Sequence, residues 1–529
     1  MIATTPAPSR LTGTGTLVRF ALRRDRIRLT AWIWALTLML VYAPNAIKLA
    51  YPDVAQRQAR VNLLKTPAGI MLGGPMFGVN ETDLGVMMAN ELTLTLMVAA
   101  SILSILTVIR HTRAEEESGA AELVLSSIVG RHARTAAALI LIVLVNAALS
   151  VTMTIAMAAS GFAVVDTAAM CFGITAVATV FGAFAALSAQ LWRQARTASG
   201  AALATLAAAV LVRGAGDVID NSGSALSWFS PIAWAQQMRP FVALRWWPLA
   251  LPAALAVALV AATVALESRR EYDDGVLASS GEHSRARPVG GVFGLQLVIH
   301  RGLTVGWAIG LLLAGAAFGS MTKSLLDAAR GNELLARVLS AQGTDGVYTT
   351  MTQFLAAATT AYVVTVVVRL SRDEESGIGE AVLAGSVSRW AWLLSAVGAG
   401  LTDAAVLLAC AGLGNGIGAG VTLGEPATIL RLTLAALAFL PAMAVMAGIA
   451  ALGVALRHPG IGWLAVTFVV VALYLGALLR LPRWLIEASP VGRTTAPSSV
   501  PVAALGVMVA VGVAVTLIAG TVYRRRDVV

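Results

Sequence analysis

Apolar residues in this chain do not alternate with polar ones. They run almost unbroken at 30–49, 86–109, 135–160, 166–190, 198–212, 247–266, 297–319, 349–368, 391–412, 427–451, 460–479 and 501–522, with shorter polar stretches between. A helix needs roughly 20 apolar residues to cross the hydrocarbon layer, whereas a strand of a membrane barrel alternates apolar and polar positions over about 10. The pattern therefore predicts an all-α polytopic membrane protein of about 12 transmembrane helices and excludes a barrel. The fifth run is short. The Gly-, Asp-, Ser- and Trp-rich stretch after it, 213–246, is expected to include a half-buried or re-entrant helix at the outer face.

Composition rules out every soluble class. Of 529 residues, 58% are hydrophobic and only 12% charged, with a mean hydropathy of +0.79. The net charge of +10 does not point to nucleic acid, because the basic residues gather at the ends of the apolar runs, where they set orientation and meet the headgroups of membrane lipids. Most of them fall inside if both termini are cytoplasmic. The expected location is thus the cytoplasmic (inner) membrane, multi-pass, with both ends inside and the Arg-rich head leading into a retained first span rather than a cleaved signal. Cys171 and Cys410 lie in or beside apolar runs without the spacing of a redox or metal pair and read as inert packing residues. The five histidines, His111, His132, His283, His300 and His458, lie at expected cytoplasmic edges without metal-ligand spacing and read as interfacial.

The most informative feature is internal repetition. "RHTRAEEESGAAELVLSSIVGR" at 110–131 matches "RLSRDEESGIGEAVLAGSVSR" at 369–389, pairing Arg110 with Arg369, Gly119 with Gly377, Glu122 with Glu380 and Arg131 with Arg389. Ser230-Pro231 and Ser489-Pro490 echo it at the same spacing. Each copy follows the second span of its half, so the repeats are parallel, with a pseudo-two-fold axis along the membrane normal. The chain divides into a first six-span half, 1–266, a charged cytoplasmic linker, 267–296, and a second six-span half, 297–529. On a helix, Glu115 and Glu116 lie one to two turns from Glu122, and Glu374 and Glu375 stand likewise to Glu380, with apolar residues following directly. Each copy is expected to form a short amphipathic helix at the cytoplasmic surface. A solvated interfacial helix needs no matching Glu and Gly positions, yet both copies have them.

These segments, "EESGAAELVLSSIVGR" and "EESGIGEAVLAGSVSR", resemble the loop between the second and third spans of type-2 ATP-binding-cassette (ABC) permeases, with its E-x-x-x-G-x-x-E-x-L-L pattern and terminal arginine. They depart from it at Ile128 and Ser386, where that family often has proline. The fused twelve-span arrangement is similar to the actinobacterial branch of polyketide-antibiotic exporters that includes tetronasin-resistance permeases. The resemblance implies that Glu115, Glu116, Gly119, Glu122 and Arg131, with Glu374, Glu375, Gly377, Glu380 and Arg389, form coupling helices docked on a nucleotide-binding ATPase subunit, two copies per permease chain. ATP and Mg would belong to that partner, and the cargo would be a hydrophobic small molecule such as an antibiotic.

The chain is not expected to hydrolyse nucleotide itself. It has no Gly-Lys pair, so it lacks the phosphate-binding loop and needs no cofactor of its own. Ionisable or amide groups within spans are costly and default to functional candidates. Asn90 and Glu91 near the outer end of the second span, Asn146 in the third and Asp403 in the ninth are therefore candidates for a substrate path, or else polar packing contacts. Two rival readings stay open: a gradient-driven twelve-span secondary transporter, which leaves the acidic repeats without a task, and an ABC lipid exporter.

Overall fold

The structure, a computed structural model, describes residues 9–51, 53, 57–58, 60–61, 64–65, 67–81, 83–119, 129–269, 276, 290–323, 344–375, 377–475, 482–493 and 502–526. Among these residues all regular structure is helical, as apolar runs in lipid require: with no water to pair with, each backbone N–H and C=O must be satisfied within its own segment. Among the described residues eleven helices are long and apolar enough to cross a membrane, giving an all-α polytopic membrane protein. The eleventh expected run, 460–479, starts as the shorter apolar helix Gly460–Leu473, and residues 476–481 lie outside the described residues. The chain forms two compact units, Met1–Arg285 and Ala286–Val529.

The first unit contains α1 (Thr14–Arg24), α2 (Arg26–Ala50), α3 (Pro67–Gly73), α4 (Leu84–His111), α5 (Arg113–Glu117), α6 (Ala133–Ala159), α7 (Val164–Leu191), α8 (Ala195–Ile219), α9 (Pro231–Gln236) and α10 (Ala250–Glu267). Helix α7 is its centre, packed against α4, α6, α8 and α10. Helix α6 shows how an apolar helix divides its faces. Leu141, Val145, Leu149 and Met153 are buried, while Ile140, Val143, Leu144, Val151 and Ile155 are exposed at helical spacing. An uncovered apolar stripe of this kind suits lipid contact.

Two local outcomes differ from the sequence reading. The Arg-rich head contains a helix of its own, α1, which buries Val18 and Ala21 against α6. The fifth run extends well beyond 198–212, because Arg213 and Asp217 pair four residues apart on α8 and continue the helix to Ile219. The stretch after it folds back as α9, whose Ser230 caps the helix start ahead of Pro231 and whose Ile232, Ala233 and Gln236 are buried.

The second unit contains α11 (Gly291–Ser320), α12 (Thr344–Glu375), α13 (Ile378–Leu383), α14 (Arg389–Leu423), α15 (Ala427–Leu437), α16 (Leu440–Ala455), α17 (Gly460–Val470), α18 (Arg483–Glu487) and α19 (Val502–Arg525). Helices α11 and α14 touch through small residues at four-residue spacing. A Cβ on Gly315 or Gly319 would stand 2.4 or 2.1 Å from the carbonyl oxygen of Ala411 or Asn415, and one on Gly414 or Gly418 would stand 2.0 or 2.2 Å from that of Leu312 or Ala316. Backbone therefore meets backbone, the close approach that drives association where lipid removes the hydrophobic effect. Gly414→Val is expected to destabilise the unit by about 3 kcal/mol through overpacking. Gly310→Val, on the same α11 but with nothing within 4 Å of the new Cβ, should leave the melting temperature in detergent unchanged.

Candidate functional site

Both repeat glycines adopt the left-handed conformation, Gly119 at φ 74° and Gly377 at φ 77°, and neither has an atom within 4 Å of where a Cβ would lie. Their role is in the backbone: each ends the helix carrying the acidic run, with Gly119 N donating to Glu116 O and Gly377 N to Glu374 O at 3.0 and 3.1 Å. This changes the expected picture of the segments. In the second copy the acidic residues do not lead a separate surface helix. Glu115 and Glu116 sit on the short α5, set off from α4 by the non-helical Thr112, whereas Glu374 and Glu375 complete α12, where nothing before the Ser-Gly step breaks the helix. In the second copy a short helix, α13, does follow Gly377, carrying Glu380 exposed in its first turn. Glu122 lies outside the described residues.

In the first unit the acidic run is tied to several helices. Glu115 accepts from Arg24 of α1 at 2.7 Å and faces His111 at 3.4 Å. On its other ring nitrogen His111 meets the buried Asp25 at 2.9 Å, and Arg110 meets the same carboxylate at 3.1 Å. Glu116 accepts from the buried Arg113 and from Arg134 of α6, while Arg113 also donates to the Arg193 carbonyl. Glu117 accepts from the Ala195 N–H at the start of α8 at 3.1 Å, a favourable place for a carboxylate because the first amides of a helix are unpaired. In the second unit Glu374 accepts from Tyr523 and Arg526, both at 2.5 Å, and Arg526 also donates to the Val454 carbonyl of α16 at 2.8 Å. Glu375 is exposed. The carboxylates thus divide: Glu116 and Glu374 are held by their own unit, while Glu375 and Glu380 face outward.

The repeat arginines act alike in both units. Arg131 donates to the carbonyl oxygen of Glu267 at 2.9 Å, and Arg389 to those of Arg524, at 3.3 Å, and Arg526. Each satisfies carbonyls at the end of the last helix of its unit, α10 or α19, a helix-end contact favoured by the dipole. Glu267 in turn accepts from Thr135 at 2.7 Å and meets His132 at 2.8 Å. His111 and His132, expected only as interfacial residues, are therefore buried members of these ionic clusters, a role visible only once distant segments come together.

The span candidates are also placed. Asn146 donates to Ser104 and Thr179, at 3.2 and 3.0 Å, linking α6, α4 and α7. Asp403, buried in α14, accepts from Tyr362 of α12 at 2.8 Å, and Tyr362 shares a 2.8 Å hydrogen bond with Thr304 of α11. Ser104 and Tyr362 are related by the repeat spacing, so both units place a polar bridge at the same level between corresponding helices. Asn90 donates to the Phe77 carbonyl at 3.2 Å, and Glu91 pairs with the buried Arg60. Sequence reasoning missed the fully buried Arg213–Asp217 pair. It binds Ser227 through Asp217 at 2.6 Å and the Ile70 and Met71 carbonyls through Arg213, fastening α3 to α8.

Helical units of this kind, each with a glycine-ended acidic run after its second expected span, define a duplicated polytopic membrane protein. Residues 289–526 match the family described as the C-terminal domain of the multidrug efflux system permease Rv1217c. Over 537 residues, 98% of this chain and 96% of the relative, the chain is 32% identical to the multidrug efflux system permease protein Rv1217c of Mycobacterium tuberculosis (strain ATCC 25618 / H37Rv). The chain belongs to this family of efflux permeases, in agreement with the resemblance of its acidic repeats to those of ABC permeases.

Two substitutions test the geometry of the repeats. Gly377→Ala should cost about 1–2 kcal/mol from the left-handed backbone alone, read as faster amide exchange across 378–383. Arg389→Ala should fray the last turn of α19 and speed exchange at 521–525, at a cost of about 1–2 kcal/mol for the released carbonyls.

Proposed function

We propose that the chain is the membrane subunit of an ATP-driven exporter of hydrophobic or amphipathic compounds, with a nucleotide-binding protein docked on its two acidic repeats. The observation that carries this reading is the division of the carboxylates: one set is anchored into the helices of its own unit, and the other points outward from a glycine turn. A partner pressing on the outward set would move α1, α6 and α8 through Glu115, Glu116 and Glu117, and α16 and α19 through Glu374. Such an arrangement can pass a push at the loop to whole helices, because packed helices shift as bodies rather than deform. In this reading both repeats and both termini face the cytoplasm, two copies of the ATPase serve one permease chain, and ATP with Mg stays on the partner. The halves 1–266 and 297–529, with 267–296 between them, would be the two working bodies. The efflux role of the relative Rv1217c supports a drug-like cargo.

Glu122→Lys combined with Glu380→Lys should abolish export and stimulation of the partner ATPase while leaving membrane insertion and melting temperature unchanged. Normal export by the double variant would refute the coupling role. The gradient-driven reading draws on one feature, the buried Asp403 bridged to Tyr362. Asp403→Asn is expected to retain export in ATP-loaded vesicles treated with a protonophore. Export that fails with either the substitution or the protonophore would favour the gradient-driven reading.

A further inference from the structure

At the end of the first unit remote from the acidic run, α2, the start of α4 and the turn between α6 and α7 surround a cavity of about 640 Å³. That is room for a drug-sized molecule, since pockets for such ligands run from roughly 300 to roughly 1,000 Å³. One wall is a single face of α2, where Val41, Pro44, Asn45 and Lys48 follow at helical spacing. Another is built by Asp83 and Leu84 at the start of α4, Phe162 and Asp166 around the start of α7, and Phe241 from the turn after α9.

Phe241 holds this second wall together. Its N–H donates to Asp166 Oδ1 at 2.8 Å, and its ring meets that of Phe162 edge to face, with centroids 6.3 Å apart. The same ring rests on Gly85, where a Cβ would stand 2.4 Å from it. Gly85 N in turn donates to Asp83 Oδ1 at 2.8 Å, so the two carboxylates and the aromatic pair form one patch. Each carboxylate uses one oxygen for backbone amides, and Oδ2 of neither accepts from a described residue. Neither aspartate has an ion pair with a described residue, and nor has Lys48, exposed in the last turn of α2. The cavity therefore presents two uncompensated negative charges beside aromatic rings, whose faces attract cations, and one uncompensated positive charge on the α2 wall. An anion entering here meets the repulsion of Asp83 and Asp166, while a simple cation leaves Lys48 without a counter-charge. A ligand bearing both signs answers all three.

We propose that this cavity binds an amphipathic zwitterion. Its ammonium end lies at the Phe162–Phe241 pair between the free oxygens of Asp83 and Asp166, its anionic group accepts from Lys48, and its apolar body runs along Val41, Pro44 and Leu84. In the exporter reading proposed above, the site stands at the outer end of the first unit and names a class of cargo. That consequence alone rests on that reading.

The test is calorimetric titration of the full-length permease in micelles of a non-ionic maltoside detergent, with titration into empty micelles subtracted. The probes share one chain length: decanoylcarnitine carries both charges, decyltrimethylammonium the cation and decanoate the anion. Decanoylcarnitine should bind tightest and decanoate weakest. Asp83→Asn combined with Asp166→Asn keeps both Oδ1 acceptors, and Asn caps a helix as well as Asp does, so the melting temperature should not change. Decanoylcarnitine and the cation should each weaken about tenfold, the scale of one lost charge-assisted contact. Lys48→Gln should bring decanoylcarnitine down to the affinity of decyltrimethylammonium without weakening the latter, and decides the matter if the double variant does not fold. Decanoate binding as tightly as decanoylcarnitine, unchanged affinity in the double variant, or an unchanged preference in Lys48→Gln overturns the proposal. Dioctanoylphosphatidylcholine added last distinguishes the source: displacement of decanoylcarnitine assigns the zwitterion to a lipid headgroup, and no displacement assigns it to a single-chain solute. The titration contains no ATPase, so its failure counts against this site, whereas failure of the Glu122/Glu380 test counts against coupling.

Discussion

A backbone inside lipid cannot be interrupted without leaving N–H and C=O groups unpaired, and this constraint orders the rest of the molecule. Helix α4 runs without interruption from Leu84 to His111 and α12 from Thr344 to Glu375. Turns, caps and charges are therefore pushed to the helix ends, and the ends are where ionic clusters form: Asp25 with His111 and Arg110, Glu116 with Arg113 and Arg134, Glu267 with His132, Glu374 with Arg526. Any force from outside the membrane has to enter at such a cluster. Each glycine turn ends a helix that carries an acidic run, and in the second unit Glu375 and Glu380 face outward on either side of that turn.

Inside the spans the same constraint leaves polar groups few options. Asn146 and Asp403 are not isolated charges in hydrocarbon but partners in short hydrogen-bonded bridges between three helices. Their corresponding positions show that the duplication extends below the loops into packing. The third partner differs, Thr179 from α7 in one unit and Thr304 from α11 in the other, so the units have diverged where the bridge meets its last helix. Breaking a buried bridge by removing one partner costs more than the bridge itself contributes, because the remaining group is left unpaired.

Much of this was legible from residue order. Unbroken apolar runs gave the helical spans, since a run of that length has one stable form in a bilayer, and the repeated Gly-x-x-Glu pattern located both acidic segments. Other features lay beyond local pattern. In the second unit the acidic run extends the span helix rather than opening a new one, because Glu is a good helix former and the break waits for Gly377, whereas in the first unit Thr112 interrupts the helix before the acidic run. The tasks of Arg131 and Arg389 depend on carbonyls more than a hundred positions away. The burial of His111, the Arg213–Asp217 pair that fastens α3, and the contacts of Phe241 with Phe162 and Asp166 arise only when segments distant in sequence meet. The Arg-Gly-Ala-Gly-Asp spacing at 213–217 was the one local hint of that pair, an i,i+4 couple beyond the short fifth run.

The central claim, that the two acidic repeats are the points where a separate ATPase docks, is tested most directly by photo-crosslinking. A benzophenone-bearing residue would replace Glu380, and in a second variant Glu122, in the complex assembled in native membranes. The account expects both positions to crosslink to the nucleotide-binding protein and a probe at the lipid-facing Ile155 not to. Crosslinks from Glu380 and Glu122 only to lipid or to the chain itself would contradict it.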